Sequence, residues 1–173
     1  MNKLFDYAYL FMRENEGGYS NHEKDPGGET LYGVSRKYWP KVYEDVERCK
    51  DDIEEVENIL REFYRQEFWN PLYPVIKPAK LAVRLFDLSV NLSKRTAVRL
   101  LQETVNFLGA ERISEDGEFG QQTLTAVNHL SIYNDDIVYK VYCEKVRSYY
   151  RSRNNYKYFG RGWENRLNKE IKI

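Results

Sequence analysis

At 173 residues with 42% hydrophobic content, the chain is long enough to bury one core, or two small lobes sharing one, and no stretch needs a membrane to explain it. Its 27 Lys and Arg balance 27 Asp and Glu, so overall charge points neither to a nucleic-acid binder nor to a binder of polyanions. Cys49 and Cys143 stand far apart, and His22 and His129 lack partners at ligand spacing, which argues against a metal or redox centre.

In chain order, Leu4, Ala8, Phe11 and Met12 recur at helical spacing and predict a first helix over residues 3 to 15 with one buried face. Asp6 interrupts its apolar run, and no long apolar core with a small-residue cleavage site follows, so the segment reads as a mature helix and not as a signal peptide. Gly17 and Gly18 stop it. From Tyr19 to Val34, the glycines, Pro26 and the β-branched Thr30 and Val34 predict a small hairpin or an irregular loop. Helical periodicity returns from about Asp52, through Ile53, Val56, Ile59, Leu60, Phe63 and Tyr64, and ends near Trp69 before Asn70-Pro71. Pro71, Pro74 and Pro78 form a rigid connection, and the boundary between lobes 1–78 and 79–173 is placed at its end.

Residues 79 to 91 form a mostly apolar helix expected at the centre of the fold. Ser93 offers the N-cap of the next helix, which runs through Val98, Leu101 and Val105 to Gly109. Glu115-Asp116-Gly117 is a turn signal, and residues 121–130 and 137–151 are again helical. The expected fold is mainly α, with at most a small sheet around the first loop.

Two carboxylates at short spacing carry the chemistry. Glu16 ends the first helix, where the negative end of the helix dipole disfavours its charged form and should raise its pKa. Stability alone would place Lys or Arg there, so an acid followed by Gly-Gly points to function. Asp25, before Pro26-Gly27-Gly28, supplies a second carboxylate, although a turn capped by its side chain is the plain alternative. Glu23 and Glu29 compete with Asp25 for that role. A glycosidase needs an acid for the leaving oxygen and a second carboxylate for water, nucleophilic attack or cation stabilisation. Of fifteen tyrosines, eight phenylalanines and three tryptophans many must be core, but an aromatic ring with a polar tip also suits flat, hydroxylated sugars. Tyr19, Tyr32 and Trp39 are the candidates for lining a sugar site, beside core packing as the plain reading. Asp87 and Asn91, spaced i,i+4 on the central helix, either face that site or are buried and hydrogen-bonded.

The order Glu16, Asp25, Thr30 resembles bacteriophage-type lysozymes, in which a helix-ending Glu, an Asp in the following hairpin and a nearby Thr surround the scissile sugar. Four residues separate Asp25 from Thr30 here, where that pattern has five. The wording Glu16-Gly17-Gly18-Tyr19 with Asp25-Pro26-Gly27-Gly28-Glu29-Thr30 is more specifically similar to glycoside hydrolase family 108, an N-acetylmuramidase group that includes phage endolysins. Phe86-Asp87-Leu88-Ser89-Val90-Asn91, Leu100-Leu101-Gln102 and Asp116-Gly117-Glu118-Phe119-Gly120 resemble the predicted peptidoglycan-binding region that follows in that family. Where the family often places a glycine after its Val-Asn step, this chain has Ser93.

The resemblance implies a lysozyme-like fold of two helical lobes, the second completing the cleft. It implies cleavage between N-acetylmuramic acid and N-acetylglucosamine, with Glu16 as general acid, Asp25 as second carboxylate and Thr30 positioning water. Neither metal nor organic cofactor is expected. The expected partners are peptidoglycan glycan strands and a holin-type release protein for a monomer made in the cytoplasm without a signal peptide and acting at the periplasm or wall. A lytic transglycosylase and a non-catalytic wall-binding or secretion-assisting protein are the alternatives.

Overall fold

The computed structural model describes residues 3–21, 28–109 and 112–173. The chain divides into two compact units, Tyr9–Trp69 and a discontinuous one made of Met1–Ala8 with Asn70–Ile173. Helix α1 (Lys3–Arg13) contributes its first part to the discontinuous unit and its last part to the other.

In the contiguous unit, three two-residue strands follow α1: β1 (Tyr19–Ser20), β2 (Thr30–Leu31) and β3 (Val34–Ser35), an antiparallel sheet in the order β1-β2-β3. Thr30 faces Ser20 on one side and Ser35 on the other. The β2–β3 link is only Tyr32-Gly33, both with positive φ (50° and 82°), the mirror-image turn whose twist matches a tight hairpin. Two helices complete the unit, α2 (Pro40–Arg48) and α3 (Ile53–Phe68). The sequence pattern does not reveal α2. It buries only Tyr43 and Val46 among nine residues, too few turns to show a period. Pro40 at its start removes an N–H that would have no partner there. Helix α3 starts where expected, with Asp52 accepting from the Glu55 amide at 3.1 Å, and buries Val56, Leu60, Phe63 and Tyr64.

The discontinuous unit is built on α4 (Ala79–Leu92), whose residues from Leu81 to Ser89 are all buried. Helix α5 (Lys94–Phe107) packs on α4 and α7 (Asp135–Arg151), and α7 also receives α6 (Gln121–Tyr133) and α8 (Tyr156–Asn168). The α4–α5 corner turns on Ser93, which caps α5 at the Thr96 amide and holds a φ of 83°. That backbone region favours glycine, so the serine occupies it at a cost offset by its cap. Gln102, 1% exposed, clamps the loop before α6. Its oxygen accepts from the Gly117 amide (2.8 Å), and its amide donates to Asp116 Oδ1 (2.9 Å) and to the Glu118 carbonyl (3.1 Å). The Leu-Leu-Gln and Asp-Gly-Glu-Phe-Gly motifs are therefore two halves of one structural clasp. In the same way Asn128 on α6 holds the proline connection, accepting from the Lys77 amide (2.8 Å) and donating to the Val75 carbonyl (2.9 Å).

Asp87 lies at the heart of this unit, fully buried. Arg166 of α8 donates from Nε to its Oδ1 at 3.0 Å, with Nη2 2.8 Å from the same oxygen, while Arg84 stands 3.4 Å from Oδ2. Arg84, itself unexposed, donates onward to the carbonyls of Arg166 (2.9 Å) and Lys169 (2.6 Å) and to the Tyr139 hydroxyl. Arg147 and Arg151 of α7 are likewise matched internally, both pairing with Glu164 of α8.

Removing one member of a buried ionic group leaves uncompensated charge, typically costing about 3–5 kcal/mol. Asp87→Asn, isosteric but uncharged, should therefore lower the thermal midpoint by roughly 10 °C. A wild-type midpoint in scanning calorimetry would show that Asp87 does not hold this core together.

Candidate active site

Helix α1 ends at Arg13, and the chain turns through Glu14 and Asn15 to Glu16, whose amide points back to the carbonyls of Met12 and Arg13, each at 3.2 Å. Glu16 is half-buried. A Cβ built on Gly33 would stand 2.7 Å from Glu16 Oε2 and 2.6 Å from the Tyr64 hydroxyl. The carboxyl thus rests against the bare backbone of the β2–β3 turn, immediately after the strand that carries Thr30. Glycine is required at 33 twice, for its φ of 82° and for this close approach.

The turn is braced from α1 and α3. Tyr64 donates its hydroxyl to the Tyr32 carbonyl at 3.2 Å, and the Arg13 guanidinium lies 5.4 Å over the Tyr32 ring. Arg13 is itself held by Glu57, Nη2 to Oε1 at 2.8 Å, while the Tyr9 hydroxyl donates to the other Glu57 oxygen at 2.6 Å. Burial pushes the Glu57 carboxyl up, but the bonds from Arg13 and Tyr9 outweigh it and hold the group below the usual carboxylate range.

A second carboxylate, Glu29, ties the sheet to α2. It accepts from Tyr43 (2.9 Å), Arg36 (3.1 Å) and Tyr19 (3.3 Å). The Tyr43 bond first, then the Arg36 guanidinium, keep it ionised below the usual range. Glu29 is committed to joining elements, which counts against it as the second acid of a reaction. Tyr19, although exposed, spends its hydroxyl on the same group. Trp39 stacks edge-on against Phe63 (5.1 Å) and Phe68 (6.4 Å). It also lines a trough of about 470 Å³ with Val42, Ile59, Phe63, Glu62 and Gln66.

Of the residues singled out in the sequence, the structure brings Glu16, Thr30 and Tyr32 to one hairpin. Asp25, with His22 and Glu23, lies outside the described residues. Asp87 takes the structural alternative, sealed between two arginines, and half-buried Asn91 accepts from the Tyr150 hydroxyl at 2.7 Å. Helical spacing places residues on one face but does not say whether that face meets solvent. The periodicity of α3 does not single out Tyr64, which falls among its apolar positions, and Gly33 stands out in the sequence only as a Gly-Val step after Thr30. The signal that marks them is the adjacency of Tyr32-Gly33, an unfavourable partner for a mirror-image turn unless something braces it.

The family model described as Glycosyl hydrolase 108 matches residues 9–92, and that described as Predicted Peptidoglycan domain matches residues 96–168. Among solved structures, SagA of Brucella abortus is similar to this chain at 23% identity. The likeness covers 96% of this chain and 91% of that one, with a TM-score of 0.73, and identifies a mainly α, lysozyme-like fold. No curated protein matches the sequence.

Glu29 and Glu57 are both depressed, so each contributes stability fully present above the ordinary glutamate value of about 4.3 and lost as pH falls through the lower folded value. A Glu29→Gln, Glu57→Gln double variant should start less stable at neutral pH. Its thermal midpoint should then fall less than that of wild type between about pH 5 and pH 3. Parallel curves would show that neither carboxylate is linked to folding.

Proposed function

We propose that the chain, whose residues 9–92 match the glycosyl hydrolase 108 family model, is a muramidase, cleaving peptidoglycan glycan between N-acetylmuramic acid and N-acetylglucosamine. The coarser statement needs no proposal: a family 108 segment followed by a peptidoglycan domain makes it a glycoside hydrolase acting on peptidoglycan. The observation that supports an acid-assisted cleavage is the seat of Glu16, a carboxyl held against the Gly33 turn within the matched segment; the choice of bond follows the resemblance to the N-acetylmuramidase group.

In this reading Glu16, in its protonated form, gives its proton to the glycosidic oxygen as the bond to the leaving sugar breaks. Asp25 is the second carboxylate, orienting water or countering the positive charge that develops on the ring. Thr30, on the central strand beside the Glu16 turn, holds that water through its hydroxyl. Trp39 and Tyr32 offer aromatic surface to the sugar rings. No helix among the described residues is long and apolar enough to cross a membrane. We further propose that a holin-type partner releases the protein, as a monomer, to the wall.

Glu16→Gln keeps shape and removes the proton, and should lower the rate of wall digestion by about 10²–10⁴-fold. Mass analysis of the wild-type digest should show reducing muramic acid ends. Anhydro-muramic ends would replace hydrolysis by transglycosylation, reducing glucosamine ends would change the bond, and an unimpaired variant would remove Glu16 from the reaction.

A further inference from the structure

We propose that Tyr64 is a positioning residue for Glu16, its hydroxyl and the bare backbone of Gly33 forming a seat that fixes the carboxyl for proton transfer. This rests on the reading of Glu16 as the general acid and adds to it a residue more than forty positions away in the chain.

Glu16 is badly placed to hold itself still. It stands beyond the last turn of α1, tied there through its own amide, and is followed by Gly17 and Gly18, around which an added Cβ would meet nothing within 4 Å. A group that transfers a proton must be held within about 0.5 Å of its working position, and glycine-rich main chain does not supply that restraint. Contacts of the carboxyl itself add restraint, and the Gly33 turn with the Tyr64 hydroxyl is one such contact.

Tyr64 has the rigidity that Glu16 lacks. Its side chain is 1% exposed, with ring neighbours Phe63 (4.9 Å), Phe68 (5.7 Å) and Tyr9 (6.3 Å). Its hydroxyl is anchored on the Tyr32 carbonyl, which the positive-φ turn aims in one direction. The hydroxyl is also the one polar side-chain group among the buried residues of α3, Val56, Leu60, Phe63 and Tyr64. For packing alone, phenylalanine would fill the same space. The two oxygens, one of Tyr64 and one of Glu16, converge on the point where Gly33 lacks a Cβ.

The test compares Tyr64→Phe, Gly33→Ala and Glu16→Gln in the full chain on purified sacculi. Tyr64→Phe should lower kcat by about 10- to 100-fold, the cost of misplacing a reacting group by about 1 Å. Its KM should be unchanged, and its thermal midpoint should fall by no more than about 4 °C, the cost of one neutral hydrogen bond. Gly33→Ala should lower kcat as well, its methyl displacing the carboxyl. If Glu16→Gln is inactive and Tyr64→Phe keeps kcat within about twofold of wild type, the seat is wrong and the acid assignment stands. If Glu16→Gln is active, both fall. A Tyr64→Phe loss confined to KM, or one that tracks a large drop in midpoint, would make the hydroxyl merely structural and overturn the inference.

Discussion

The discontinuous unit depends on one buried charge being answered from across the chain. Asp87 sits on the innermost helix with no solvent contact, and Arg166, 79 residues later, supplies two nitrogens to one of its oxygens. Arg84 completes the group and passes its remaining hydrogen bonds to the carbonyls that end α8. Those carbonyls lie at the helix terminus, where intrahelical donors run out, so a single guanidinium serves both the buried acid and the end of the last helix. Such a group adds less to net stability than apolar packing of the same volume. What it supplies is definition, since α8 in another register would deprive Asp87 of the two Arg166 nitrogens.

The contiguous unit solves a different problem, placing an acid at the end of a helix and beside glycine. A charge there gains nothing from the helix dipole, and the solution is steric. The Tyr32-Gly33 turn brings backbone into contact with the carboxyl, and Tyr64, Arg13 and Glu57 brace the turn from the two helices that flank it. Each brace is itself held by a further contact, Arg13 by Glu57 and Glu57 by Tyr9. The acid is positioned by a chain of short-range contacts. Each link is ordinary, and together they leave little slack.

Elements with a long amphipathic period were legible in the sequence. Helices α1, α3, α4 and α5 fall within two residues of their expected limits because each has at least three turns of patterned residues, and Ser93 caps α5 as its chemistry suggested. The short α2 was not, since a nine-residue helix with two buried positions carries no readable period. The place of Glu16 just past α1 was legible as an acid where a base would be more stable. The roles of Asp87 and Tyr64 were not, because both are decided by residues dozens of positions away. Local spacing reports a face, and only tertiary contact reports what that face meets. Ser93 shows the same limit at backbone level, a serine holding a conformation that its residue type would not suggest.

The hydrogen bond from the Lys172 amide to the Tyr7 hydroxyl, 2.8 Å long, joins residues 165 positions apart and belongs to a unit that takes its first eight residues from one end of the chain. A ribosome delivers those ends at opposite times. Residues Tyr9–Trp69 are contiguous and can close as soon as they emerge, as N-terminal units generally do. The opening turns of α1 must wait for residues made much later: Phe5 meets Phe86 of α4 at 5.9 Å, and Tyr7 gains its bond only when Lys172 has been added. The order of translation and the order of packing therefore run against each other in this fold. The segment exposed longest to chaperones and to wrong contacts is the one that is made first.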